Sequence, residues 1–185
     1  MIKNSVRALC ALSLALAPLL TASPAHAVTA CTVNGVPSAG PDVTGTAGGD
    51  FIACSMLDAG HTVNALGGND TIVLTGDISG TVGGGAGSDM VRLATTGTLN
   101  TAGVINGDVG GDAFDLRGTV LGLVQGNEAD DFITVGVVGA GGTVNGGAGT
   151  DFLQVGVNGG AVDGGADFDV CQAGSGNPPV CEIVF

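Results

Sequence analysis

The chain predicts an all-β fold, a right-handed parallel β-roll or β-solenoid of about seven coils. Three observations predict it. Asp50, Asp70, Asp89, Asp112, Asp131, Asp151 and Asp169 recur at steps of 20, 19, 23, 19, 20 and 18 residues. A β-branched residue stands seven positions before each: Val43, Val63, Val82, Ile105, Val124, Val144 and Val162. The residues between are rich in glycine, and 36 of the 185 residues are Gly, far above the usual ~7%. A sustained period near 20 means one supersecondary unit stacked on itself.

Each twelve-residue window opens on the β-branched position, crosses a glycine-rich turn to the Asp, then alternates. Two residues after the Asp stand Ile52, Ile72, Val91, Phe114, Ile133, Leu153 and Cys171. Four residues after it stand Cys54, Leu74, Leu93, Leu116, Val135, Val155 and Ala173. Period-two alternation marks a short strand with one buried face. No 3.6-residue pattern follows residue 27, and each Gly would cost a helix about 1 kcal/mol. The linking segments add Leu57, Ile78, Val120 and Val138, so each coil reads strand, turn, strand, turn.

Parallel stacking at about 4.8 Å per coil gives a rod about 35 Å long. The corners need positive φ at one or two positions, which Gly supplies without steric cost. The fifth turn is the most degenerate: Asn127 tolerates that geometry and Ala129 does so poorly. The 23-residue step carries extra residues over Thr95 to Gly103, expected as a bulged corner away from the Asp edge.

Residues 1–27 read as a cleaved secretory leader: Lys3 and Arg7, an apolar run from Ala8 to Leu20, then Ala25-His26-Ala27. Cys10 lies inside the apolar run, unlike a lipoprotein cysteine. The expected organisation is a leader over 1–27, caps over 28–42 and 174–185, and the solenoid over 43–173. Nothing after residue 27 approaches the ~20 apolar residues of a membrane helix.

Losing two of the four basic residues takes the formal charge from −13 to −15 and leaves Arg92 and Arg117. That field repels nucleic acid and anionic membranes and attracts cations. Export favours disulfides. The four remaining cysteines fall in one pair near each end of the array, which predicts Cys31–Cys54 and Cys171–Cys181. Solenoid ends expose core and need such closure.

In-register stacking places the seven carboxylates in a column along one edge, about 5 Å apart. Each neighbouring pair then repels by about 0.8 kcal/mol in bulk water and about 3 at an effective dielectric of 20. The sum reaches the order of 10 kcal/mol, comparable to a domain's stability. Hard cations relieve it. Ca²⁺ fits best, because it takes six to eight oxygens, backbone carbonyls included, in flexible geometry. Transition metals would want imidazole or thiolate, and His61 is read as a solvated surface residue. The other reading is structural, with each Asp capping turn amides.

Gly84-Gly85-Ala86-Gly87-Ser88-Asp89 and Gly146-Gly147-Ala148-Gly149-Thr150-Asp151 match G-G-x-G-x-D in full. Gly67-Gly68-Asn69-Asp70-Thr71-Ile72 is a variant. These windows resemble the nonapeptide repeat of hemolysin-type, or RTX, calcium-binding proteins. The resemblance covers about Val43 to Ala173. It implies calcium held between turns of successive coils by Asp50, Asp70, Asp89, Asp112, Asp131, Asp151 and Asp169, with Gly67, Gly84, Gly85, Gly87, Gly146, Gly147 and Gly149 supplying backbone. In the family both edges carry the motif; here alternate half-coils do, so one edge and at most six sites are expected.

The functional expectation is a secreted calcium-binding repeat protein with a structural or adhesive role. A metal-independent extracellular scaffold or surface-binding protein is the alternative, and the partner, protein or polysaccharide, is left open. A β-helix enzyme acting on carbohydrate is disfavoured. Asp130 and Asp131 are adjacent and point to opposite faces of a strand, and the chain has no Trp or Tyr.

Overall fold

The computed structural model describes residues 30–38 and 40–185. The expected leader over 1–27 lies outside them. The described residues form a parallel β-solenoid of seven coils without helix.

Each coil contributes one strand to each of two sheets. The smaller sheet stacks the strands opened by the β-branched column in order, from Val43–Thr44 to Ala161–Ala166. The larger stacks the strands that follow each Asp, from Phe51–Cys54 to Val170–Gly176. Coil-to-coil pairing is parallel and in register. Val43 lies on Val63, Val63 on Val82, and Val82 on Ile105, and the column continues to Val162.

Seven β-branched side chains at or below 3% exposure face the two expected columns of the larger sheet across one narrow core. Period two therefore decides the fold: a one-residue slip would turn every inward side chain to solvent.

The linking segments add a third inward column. Leu57, Ile78, Leu99, Val120, Val138 and Asn158 stack upon one another, each essentially fully buried. Leu99 comes from the stretch expected as a bulge. That stretch does lie away from the Asp edge, but Thr98–Leu99 forms a strand pairing with Asp77–Ile78 and with Thr119–Val120. Its extra length makes the corner and returns an apolar side chain to the core. Asn158 closes the column with its polar ends used: Nδ2 donates to the Asn177 carbonyl and Oδ1 accepts from the Gly160 N–H.

Both disulfides form, Cys31–Cys54 and Cys171–Cys181. The first joins the opening hairpin to coil one, where Cys31–Val33 pairs antiparallel with Phe51–Cys54. The second brings the C-terminal tail back so that Ile183–Val184 pairs with the last coil. Cys54 and Cys171 are also core residues, each 1% exposed.

Candidate functional site

The Asp edge is a continuous hydrogen-bonded ladder. All seven aspartates are at most 4% exposed. The backbone N–H of Asp50 donates to Oδ1 of Asp70, and the same bond repeats from each Asp to the next as far as Asp169, at 2.6–2.9 Å. The carboxylates therefore reach across coils. They do not cap amides within their own turn, apart from Asp50, whose Oδ2 accepts the Thr46 N–H. In-register stacking leaves each Asp amide inside the turn without a strand partner, and the next carboxylate satisfies it.

Side chains from the two caps close the ladder. Asn34 Nδ2 donates to Oδ1 of Asp50 at the N-terminal end. Glu182 Oε2 accepts the Asp169 N–H, 2.8 Å away, at the other. Neither residue belongs to a window, so periodicity gives no signal for them. Glu182 is detectable only as a carboxylate beside the disulfide-bonded Cys181.

The second oxygen is the unusual one. Oδ2 of Asp70, Asp89, Asp112, Asp131, Asp151 and Asp169 is buried without any hydrogen-bond partner. In five of these turns, all but that of Asp70, it lies over the glycine five residues earlier. A Cβ on Gly84, Gly107, Gly126, Gly146 or Gly164 would collide with it. For the first four of these, the same Cβ would meet the carbonyl oxygen of the corresponding glycine in the next coil. Each such turn thus gathers a carboxylate oxygen and a neighbouring carbonyl. The second turn carries the fully buried Ala65 at that place.

The expected glycines divide by task. Gly85, Gly147, Gly87 and Gly149 sit at positive φ, between 102° and 142°. They mark two left-handed positions per turn, four and two residues before the Asp. Leu66, Asp108 and Asn127 occupy the first of these positions in other coils, and Ala129 and Asp167 the second, all at positive φ. Gly67 does neither job: it pairs opposite Ala86. The left-handed residues of its turn are Leu66 and Gly68.

Burial dominates the electrostatics. It raises the carboxyls of Asp70, Asp89 and Asp169 above the ordinary value, and pushes Asp112 and Asp151 to about 6 and Asp131 to about 7. The donated amide opposes this in each case, and neighbouring carboxylates reinforce it. Asp50 goes the other way, held low by the Thr46 N–H.

Six unpartnered, buried, acidic oxygens in an all-oxygen edge suit a hard cation chemically. Among the described residues no three His, Cys, Asp or Glu side chains converge on one point. An ion here would have to draw on one or two carboxylates plus carbonyls and water. On the outer surface Asp115 takes both arginines, Arg117 Nε at 2.9 Å and Arg92 Nε at 3.5 Å. His61 Nδ1 lies 3.7 Å from Asp42 near a turn. No family model, no curated protein and no solved structure matches this chain.

Proposed function

We propose that this is a secreted β-solenoid with a structural or adhesive role, stabilised by calcium along its aspartate edge. The observation that carries the calcium reading is the row of buried Oδ2 atoms without partners. An ionised carboxylate so placed is costly unless paired. At neutral pH either a proton or a cation compensates it. Millimolar calcium outside the cell is within the range that extracellular sites use. Asp50, Asp70, Asp89, Asp112, Asp131, Asp151 and Asp169 would contribute carboxylate oxygens, and the turn glycines carbonyls. Calcium would supply charge neutralisation and cross-links between coils. Disulfides at both ends agree with an oxidising compartment.

A second reading has its own observation. Oδ1 of each Asp from Asp70 to Asp169 already has a structural task, capping the amide of the preceding coil's Asp. A ladder whose Oδ2 atoms are kept protonated would hold the scaffold without metal. Isothermal titration of the chelator-treated protein with CaCl₂ at pH 7.5 separates the two. Saturable uptake of several ions supports calcium; no heat and no bound calcium at millimolar concentration leaves the metal-free scaffold.

A further inference from the structure

We infer that the outer face of the larger sheet is a self-association surface, and that its occupant is a second copy of this chain. The inference does not depend on calcium.

Four adjacent strands build the centre of the face: Met90–Leu93, Ala113–Val120, Phe132–Val138 and Phe152–Asn158. Their charged residues are Arg92, Asp115 and Arg117, a net charge of +1 within a chain of −13. Both arginines of the described residues are therefore on this face. Of its 17 acidic residues, only Asp115 joins them on the surface there. Two copies of so acidic a chain repel over most approaches. This face is where that repulsion is weakest.

The same strands expose large apolar side chains in columns. Met90, Ala113, Phe132 and Phe152 follow one another in register. The two phenyl rings stack with centroids 5.1 Å apart and planes 5° apart. Phe132 is 49% exposed and Met90 44%. Ala113 between them leaves a hollow walled by Met90 and Phe132 and edged by Arg92, Asp115 and Thr134. A second exposed apolar pair, Val137 and Val157, stands five residues further along the same strands, beyond Thr134 and Gln154.

A projecting stack and a hollow on one surface are what a two-fold contact requires, because each copy presents both halves. Exposed Phe, Met and Arg without Lys or Glu is the composition of interface cores. Rings stacked on each other turn their edges outward, which suits packing against protein better than a flat sugar platform. Arg92, Arg117 and Asp115 are likewise self-complementary across a two-fold axis.

The seven coil strands of this sheet, four to eight residues long, give a patch on the order of 600 Å² per copy. That is at the lower end of what stable pairs bury, which suits a reversible pair rather than an obligate one.

Sedimentation velocity of the oxidised protein over a dilution series tests this. The expected result is a dimer that dissociates on dilution through the micromolar range. Two variants, Phe132→Ser and the double Arg92→Glu/Arg117→Glu, are expected to be monomeric throughout, each with an unchanged far-UV spectrum. A wild-type protein that stays monomeric to about 1 mM overturns the proposal. So does a dimer that both variants retain. A monomer that co-sediments with an insoluble polysaccharide, and loses this in Phe132→Ser, also overturns it and assigns the face to glycan.

Discussion

At the residue scale the Asp side chain does two separable things, and substitutions at Asp131 divide them. Asp131→Ala removes the acceptor for the Asp112 N–H and leaves that amide buried. The expected cost is about 1–3 kcal/mol, read as a lowered urea midpoint. Asp131→Asn keeps an oxygen acceptor and removes the charge. In chelator at pH 7.5 it should be at least as stable as wild type, and with calcium it should lose part of the metal's effect. Ala129, at φ 78°, strains the fifth turn where other coils place Gly. Ala129→Gly should raise stability by about 1 kcal/mol, visible in thermal melts.

The turn requirement was legible as glycine density and the strained Ala129 was legible too. Leu66 was not, because the doublet Gly67-Gly68 draws the eye one residue too far along. The pairing of Gly67 with Ala86 corrects the frame.

At the element scale, a coil is two strands and a turn whose carboxyl titrates in an unusual range. The folded values of Asp112, Asp131 and Asp151 lie above the unfolded value of about 4, at about 6, 7 and 6. Asp108 and Asp130 add their charges beside them. The folded state therefore holds more protons than the unfolded chain between pH 4 and 7. These groups stabilise fully below about pH 4, and that contribution is lost as pH rises through 6 to 7. In chelator the melting temperature should fall from pH 5 to pH 7.5. Calcium should restore it at pH 7.5 and do little at pH 5, where protons already occupy the edge.

The end elements obey a different logic. Cys171–Cys181 closes a short loop and also delivers Glu182 to the Asp169 amide. Replacing both cysteines by Ser should cost about 2–3 kcal/mol by loop entropy alone. The loss should exceed that of Glu182→Ala, measured by denaturant unfolding of each variant.

At the scale of the whole molecule, the period of the aspartates was enough to read the solenoid. One interval between ticks fixes one coil, and period-two alternation fixes which side chains enter the core. The disulfide pairs were legible because each couples a cap to an inward column. Three features were not.

Thr98–Leu99 lay inside the irregular step, where the repeat loses its phase, so Leu99 looked like loop. Asn34 and Glu182 act once each and have no period to reveal them. The direction of the Asp side chains was hidden because a carboxylate at a turn can cap its own amides or a neighbour's. Stacking in register decides for the neighbour, since it is the neighbouring coil's amide that burial leaves without a partner. What the sequence presented as a row of charges is thus a row of bonds with one oxygen left over in every coil after the first.

Thermal unfolding of the oxidised protein at pH 7.5, in millimolar calcium and again in excess chelator, tests that leftover oxygen most directly. Calcium at a hundredfold over its dissociation constant adds about 2.7 kcal/mol per site, which for a chain of this size moves the midpoint upward by about 5–10 °C. A saturable upward shift of that order, lost on chelation, is the predicted result. Superimposable melting curves in calcium and chelator would contradict the calcium-stabilised edge.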